Sequence, residues 1–376
     1  MYKTIGIVTG GGDAPGLNAV IRAVVKTAVG EYGMRVVGIE DSFDGLLGET
    51  ITRELTPADV RGLLPRGGTI LGTRNRGGFL ERNANGEIIK PEAIYQTAID
   101  NLKRLGIEAL VVLGGEGTLE IAEEFDRRGV PVVGVPKTID NDLACTELTF
   151  GFVTALDIAT EALDRLHTTA ESHDRVMILE VMGRHTGWIA LHSGIAGGAD
   201  VILIPEIPFS MESVAAKIRE REVCDSQFSI IVVAEGAREV CGELIYQDLG
   251  DKQHAPRLGG IGHHCQRELE RITGKEVRCV VLGHLQRGGT PNAFDRMLAT
   301  TYGSCAVRSL AAGERNVMVG LHAADIITVP ISKAIANLKT VPLTSQLVRT
   351  ARDTGISFGA PDEASHHTSG NAMPCV

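Results

Sequence analysis

The sequence has no Cys-x-x-Cys pair, no excess of basic residues, few aromatics and no long apolar run. Its seven cysteines are scattered, at 145, 224, 241, 265, 279, 305 and 375. An odd number of dispersed thiols fits reduced cysteines and argues against a disulfide framework. With 37 basic against 47 acidic residues, the formal net charge is −10. That balance argues against a general nucleic-acid binder, and any phosphate site must be a local basic cluster. No apolar run approaches the ~18 residues that a transmembrane helix needs. No signal-peptide pattern precedes the strand-like Thr4-Ile5-Gly6-Ile7-Val8-Thr9, so a cytoplasmic enzyme without a membrane partner is expected.

What is present points to an α/β enzyme. At 376 residues the chain can bury a large core, and the length suggests two domains. Glycine is abundant at 45 while aromatics are 4%, a mix that suits many strand-to-loop corners. Short β-branched runs at 4–9, 35–39, 109–113, 130–135, 176–181, 201–204, 228–234 and 278–282 end in glycine or polar residues. Helix-like stretches lie between them, among them Leu17–Val29, Ala93–Leu105, Leu119–Arg128 and Thr154–Thr168. Strands alternating with helices predict mostly parallel sheets covered on both faces, with ligands at the carboxyl ends of the strands. From Ala360 the chain is rich in small and polar residues, and 360–376 is expected to be a loose tail.

The chemistry-bearing residues gather at those predicted strand ends. Gly10-Gly11-Gly12-Asp13-Ala14-Pro15-Gly16 follows the first strand, where backbone N–H groups before a helix suit phosphate. It lacks a P-loop's Lys-Ser/Thr ending, and Pro15 breaks the dinucleotide fingerprint. The loop from Arg66 to Arg76 sets arginines among glycines and threonines. In Gly114-Gly115-Glu116-Gly117-Thr118, Glu116 is placed to reach a Mg²⁺ bridging phosphates, and Thr118 is a candidate helix N-cap. Val135-Pro136-Lys137-Thr138-Ile139-Asp140-Asn141-Asp142 brings a base, a second acid, a cation and a hydroxyl into one loop. Arg175, Met182-Gly183-Arg184, Glu235, Arg278 and Leu282-Gly283-His284-Leu285-Gln286-Arg287 flank later strands. His173, His185 and His263-His264 show no metal-ligand spacing.

Together these loops resemble the signature segments of the phosphofructokinases, over about Lys3 to Phe358. The resemblance implies two similar doubly wound domains with mostly parallel sheets and an active site in the cleft between them. The expected division is 1–151 plus 287–340 for the phosphoryl donor, and 152–286 plus 341–359 for fructose 6-phosphate. The implied reaction moves a phosphoryl group from ATP to the 1-hydroxyl of fructose 6-phosphate, with Mg²⁺ at the donor. Asp140 is the expected general base, Thr138 contacts the transferred group, and Lys137 completes the catalytic set. Asp142 is expected to help hold the metal or orient the loop.

The resemblance assigns donor contacts to Gly11, Gly115, Glu116, Gly117 and Thr118, with Glu116 toward the metal. A gapless match puts Asn75 where the family has a donor-binding arginine, with Arg74 and Arg76 on either side. The acceptor set is Thr138, Ile139, Asp140, Arg175, Met182, Gly183, Arg184, Glu235, Arg278, His284, Leu285, Gln286 and Arg287. Arg175 and Arg278 are implied to reach a neighbouring subunit's site, so a homo-oligomer, favoured as a tetramer, is expected. On the donor, Gly117 is the residue of an ATP user, whereas Lys137 is the residue of pyrophosphate users. ATP is the leading reading and pyrophosphate the alternative.

Overall fold

The computed structural model describes residues 2–74, 78–82, 88–223, 226–248 and 257–361. The chain divides into two compact units, residues 1–154 with 287–338 and residues 155–286 with 339–376. In chain order the strands are β1 (Thr4–Thr9), β2 (Arg35–Ile39), β3 (Thr52–Leu55), β4 (Glu81–Arg82), β5 (Ile88–Ile89), β6 (Ala109–Gly114), β7 (Val132–Pro136) and β8 (Val176–Val181). Then follow β9 (Val201–Leu203), β10 (Ser229–Ala234), β11 (Tyr246–Asp248), β12 (Arg257–Leu258), β13 (Val277–Val281), β14 (Val317–His322) and β15 (Asp325–Pro330). The helices are α1 (Leu17–Tyr32), α2 (Glu92–Arg104), α3 (Glu116–Arg127), α4 (Phe152–Glu171), α5 (Trp188–Ala196), α6 (Met211–Val223), α7 (Ile261–Thr273), α8 (Ala293–Ala311), α9 (Ile331–Ala334) and α10 (Gln346–Asp353).

The first unit is built on a seven-stranded sheet of order β15-β14-β7-β6-β1-β2-β3. Its central strands are parallel, and antiparallel β3 and β15 close the two edges. Every residue of β1, β6 and β7 is buried, as expected of strands covered on both faces. On one face α1 and α8 bury Val20, Val24, Ala299 and Tyr302 against the sheet. These two helices approach closely because Gly303 has no side chain: a Cβ there would lie 2.7 Å from the Val20 carbonyl oxygen. On the other face the scarce aromatics are concentrated. Phe43, Phe79, Tyr95 and Phe125 form one cluster with ring centroids 5.1 to 5.7 Å apart. Each such ring contributes about 2–3 kcal/mol by burial.

The second unit carries a four-stranded parallel sheet of order β13-β8-β10-β9. β8 and β10 are wholly buried, whereas β13 is an edge strand with Val280 and Val281 exposed. The α/β class and mostly parallel sheets match the expectation. The antiparallel hairpin β14–β15 and strand β3 were not expected, and α3 begins at Glu116 rather than Leu119. Among the described residues no helix is long and apolar enough to cross a membrane.

Candidate active site

Three parallel strands deliver three loops to one edge of the larger sheet. The register pairs Thr9 with Leu113, Leu113 with Val135 and Gly114 with Pro136, so β1, β6 and β7 end level. Backbone bonds then stitch the loops together. Gly10 N–H donates to Leu113 O at 2.9 Å, Lys137 N–H to Gly114 O at 3.0 Å, and Gly11 N–H to Arg74 O at 3.0 Å. The chain leaves β1 toward β2 on one side, while β6 lies on the other, so β1 and β6 flank a topological switch point. Such points are where open α/β sheets accept ligands.

The loop after β7 is fixed by side chains. Asp140 N–H donates to Thr138 Oγ1 at 3.1 Å. Asn141 adopts the left-handed region at φ 51° and is buried. Its Oδ1 accepts the Thr149 N–H at 3.1 Å, and its Nδ2 donates to Glu147 O at 3.2 Å. Thr149 Oγ1 in turn donates to Thr138 O at 2.6 Å. Asn141 and Thr149 thus hold Thr138, Asp140 and Asp142 in one arrangement. Sequence reasoning missed both residues; an asparagine between two aspartates at a turn is the signal that could have found Asn141.

Charge is concentrated here. Burial first, and then the Asp142 carboxylate, push Asp140 up to about 6, against the opposing pull of Arg287 and Lys137. Lys137 is 4% exposed, and its Nζ donates to Gly12 O at 2.6 Å. Burial and the nearby Arg287 lower Lys137 to about 8, although Asp13, Asp140 and Asp142 favour its charged form. Arg287 Nη1 donates to Asp13 O at 3.3 Å, and a Cβ on Gly12 would fall 2.8 Å from that nitrogen. Arg287, expected among the acceptor residues, therefore lies against the loop after β1 within the first unit.

The loop after β6 opens helix α3. Its N-cap is Gly115, so Thr118 lies inside the first turn and is not the N-cap expected from sequence. Helix formation starts three residues early because Glu116 favours the positive end of the helix dipole. Thr118 instead fills the gap between loops: Cβ atoms on Gly10 or Gly114 would lie 2.6 and 2.2 Å from its side chain. Among the described residues the space beside Gly117 is open, since a Cβ there would meet only Leu80 Cδ1, at 4.0 Å. Glu116 is raised above the ordinary carboxylate range by partial burial and then by Asp142 and Glu120. Glu116 and Asp142 are thus close enough to repel, a strain that a cation between them would relieve. Among the described residues no three His, Cys, Asp or Glu side chains gather as a metal cage. Arg74 pairs with Asp41 at 3.1 Å and Asp44 at 3.8 Å; Asn75 and Arg76 lie outside the described residues.

In the second unit, Met182–Arg184, Glu235 and His284–Gln286 follow the carboxyl ends of β8, β10 and β13. Met182 N–H donates to Gln286 Oε1 at 2.8 Å, and Gly236 N–H to Gly183 O at 3.1 Å. A Cβ on Gly236 would lie 2.1 Å from Arg184 O, so only glycine permits this approach. Arg184, His284 and Leu285 are exposed and Gln286 is buried. Arg175 and Arg278 are not brought to this cluster. Arg175 precedes β8, and Arg278 pairs in register with Met177. Five residues of strand separate Met177 from Met182, about 17 Å at ~3.3 Å per residue. Glu276 holds both arginines, at 2.8 Å to Arg175 Nε and 2.5 Å to Arg278 Nη2.

A family model described as Phosphofructokinase matches residues 4–310. An ATP-dependent 6-phosphofructokinase of Chloroflexus aurantiacus is 59% identical over 95% of this chain and 98% of its own length. A pyrophosphate–fructose 6-phosphate 1-phosphotransferase of Streptomyces coelicolor is 52% identical over 90% of this chain and 96% of its own. Among solved structures, the T-state phosphofructokinase of Pichia pastoris matches with a TM-score of 0.76 at 32% identity, over 98% of this chain. The chain spans 39% of that longer protein.

Proposed function

The chain belongs to the phosphofructokinase family, and we infer that it is an ATP-dependent 6-phosphofructokinase, converting fructose 6-phosphate to fructose 1,6-bisphosphate in glycolysis. The observation that carries this reading is the cluster of Asp140, Asp142, Lys137 and Arg287 beside glycine loops at level strand ends. Phosphoryl transfer asks the protein for in-line positioning, charge neutralisation and one base. Asp140 is the base that takes the proton of the sugar 1-hydroxyl. Its raised pKa brings proton affinity closer to the working pH, where a general base is most effective. Thr138 orients the transferred group, while Lys137 and Arg287 neutralise its charge.

Gly11, Gly115, Gly117 and Thr118 line the donor side, and Arg74 lies beside Gly11. Glu116, with Asp142, is the residue set that would hold Mg²⁺; the cation supplies charge neutralisation at the donor phosphates. On the acceptor side, Met182, Gly183, Arg184, Glu235, His284, Leu285 and Gln286 hold the sugar phosphate, with Ile139 beside the base. Arg175 and Arg278 sit at the opposite strand ends, so they serve a neighbouring subunit's site. That position supports a homo-oligomer with shared sites, for which a tetramer is the favoured state. A glycolytic role sets the enzyme in the cytoplasm.

Pyrophosphate is the second donor reading. Lys137 favours it, as does the likeness to the Streptomyces pyrophosphate-dependent enzyme. The open space at Gly117 favours ATP, because it leaves room for the nucleotide's α-phosphate. A coupled assay with each donor tests the choice. Turnover with Mg-ATP and little with pyrophosphate is expected; the reverse pattern would make the pyrophosphate enzyme the correct reading.

A further inference from the structure

The loop Met182–Gly187 joins β8 to α5, and side chains pin it at both ends. Gln286 takes the Met182 N–H at the near end. At the far end, Gly187 N–H donates to both oxygens of Glu206, at 3.1 and 3.0 Å. Gly187 is the N-cap of α5, so this carboxylate sits at a helix N-terminus, where negative charge is favoured. Glu206 Oε1 also accepts the Val341 N–H at 2.8 Å. Two residues earlier, Lys339 O accepts the Trp188 indole N–H at 2.6 Å, and the Lys339 ammonium lies 5.6 Å from the Trp188 ring centre.

Residues 339–341 begin the C-terminal portion of the second unit. They dock where the loop becomes helix, through one carboxylate and one indole. The carboxylate is costly to keep there, since burial raises Glu206 above its ordinary range despite the two N–H donors. The loop itself has little slack: a Cβ on Gly187 would fall 2.3 Å from Ile204 Cβ, and one on Gly183 2.7 Å from Thr186 O. A shift of the far end is therefore passed to Gly183 and Arg184.

We propose that Glu206 is a positioning residue for fructose 6-phosphate, coupling the segment 339–341 to the loop Met182–Gly187. The inference rests on the reading of Met182–Arg184 as acceptor residues. Kinetics on the full-length enzyme test it, with Trp188, the chain's single tryptophan, as an internal probe. Glu206→Ala is expected to raise KM for fructose 6-phosphate about tenfold, the usual worth of charge-assisted bonds. KM for ATP should stay within about twofold, and so should kcat at saturating fructose 6-phosphate. Trp188 emission should shift to the red as its Lys339 contact loosens. Glu206→Gln keeps one carbonyl oxygen for the Gly187 and Val341 donors and should recover most of the loss. If Glu206→Ala does not fold, Glu206→Gln and Trp188→Phe carry the test, each with a smaller, acceptor-selective rise in KM. Equal rises for both substrates, or unchanged kinetics, would overturn the inference. An Arg184→Ala variant with unchanged KM for fructose 6-phosphate would instead overturn the acceptor reading, and the inference with it.

Discussion

Lys137 Nζ donates to the carbonyl oxygen of Gly12 at 2.6 Å, which ties the end of β7 to the loop after β1. The ammonium thereby lies between the loops after β1 and β7, with Asp13, Asp140 and Asp142 around it and Arg287 beside it. A lysine lowered to about 8 by burial and Arg287 is charged at neutral pH and loses its proton just above it.

An alkaline limb should therefore appear in the pH profile of kcat/KM for the donor. This parameter reports the free enzyme, before bound phosphates stabilise the ammonium. On this limb activity should be highest on the acid side of about 8, above the fall set by Asp140, and decline as Lys137 is deprotonated. Because Arg287 lowers the lysine, Arg287→Gln should move the limb upward, whatever else it does to binding. Lys137→Met should abolish the limb. A profile flat to pH 9.5 or so in the wild type would remove Lys137 from the charge-neutralising role.

Asp140→Asn should keep the fold and fructose 6-phosphate binding while lowering kcat by about 10²–10⁴, the usual worth of a general base. Retention of more than about a tenth of kcat would rule Asp140 out. In the wild type, activity should also fall as pH drops through about 6, where Asp140 gains a proton. Asp142 raises that value, so Asp142→Asn should move the acid limb to lower pH. The limb belongs to the pair, and its direction of movement is the readout.

Much of this was legible in the sequence. The runs 4–9, 35–39 and 176–181 coincide with β1, β2 and β8, because strands buried on both faces must be apolar throughout. β15 did not stand out although it carries Ile326, Ile327 and Val329, because this short run lies on a largely exposed edge and pairs antiparallel as the second arm of a hairpin. The Asp140 loop stood out by its chemistry. Its lock did not, because Asn141 and Thr149 act through backbone partners that only the left-handed turn brings together. Arg287 looked like part of the His284–Gln286 set. The chain passes from one unit to the other between Gln286 and Arg287, and neighbours in sequence thus contact different loops, Gln286 the Met182 N–H and Arg287 the Asp13 carbonyl.

Arg175 and Arg278 give a test of assembly. Arg278 sits level with Met177, about 17 Å of strand from Met182, Arg175 lies two residues further from it along the chain, and Glu276 holds both. Arg278→Ala should mainly raise KM for fructose 6-phosphate, by about 1.5–3 kcal/mol of lost phosphate contact. Subunits carrying Asp140→Asn keep a sound arginine, and subunits carrying Arg278→Ala keep a sound base. Mixed oligomers should then form some intact sites and regain activity that neither parent has. Verified mixed oligomers without rescue would mean that each site uses its own arginines.

The proposed choice of donor can be tested where α3 begins. Among the described residues a Cβ at Gly117 would meet only Leu80 Cδ1, at 4.0 Å, so these residues leave the space open. An aspartate there would point a carboxylate into the region expected for the α-phosphate of ATP. Gly117→Asp should weaken ATP use by about 1–3 kcal/mol, through like-charge contact in a partly desolvated site. Pyrophosphate has no α-phosphate group to repel, and Lys137 is already in place to neutralise its charge. The variant should thus shift the ratio of pyrophosphate to ATP turnover upward, even if total activity falls. Stability should change little, because the position is exposed and the first turn of a helix tolerates aspartate. Steady-state comparison of both donors in wild type and variant reads the effect. An ATP rate left unchanged by Gly117→Asp would show that the nucleotide does not pass this residue.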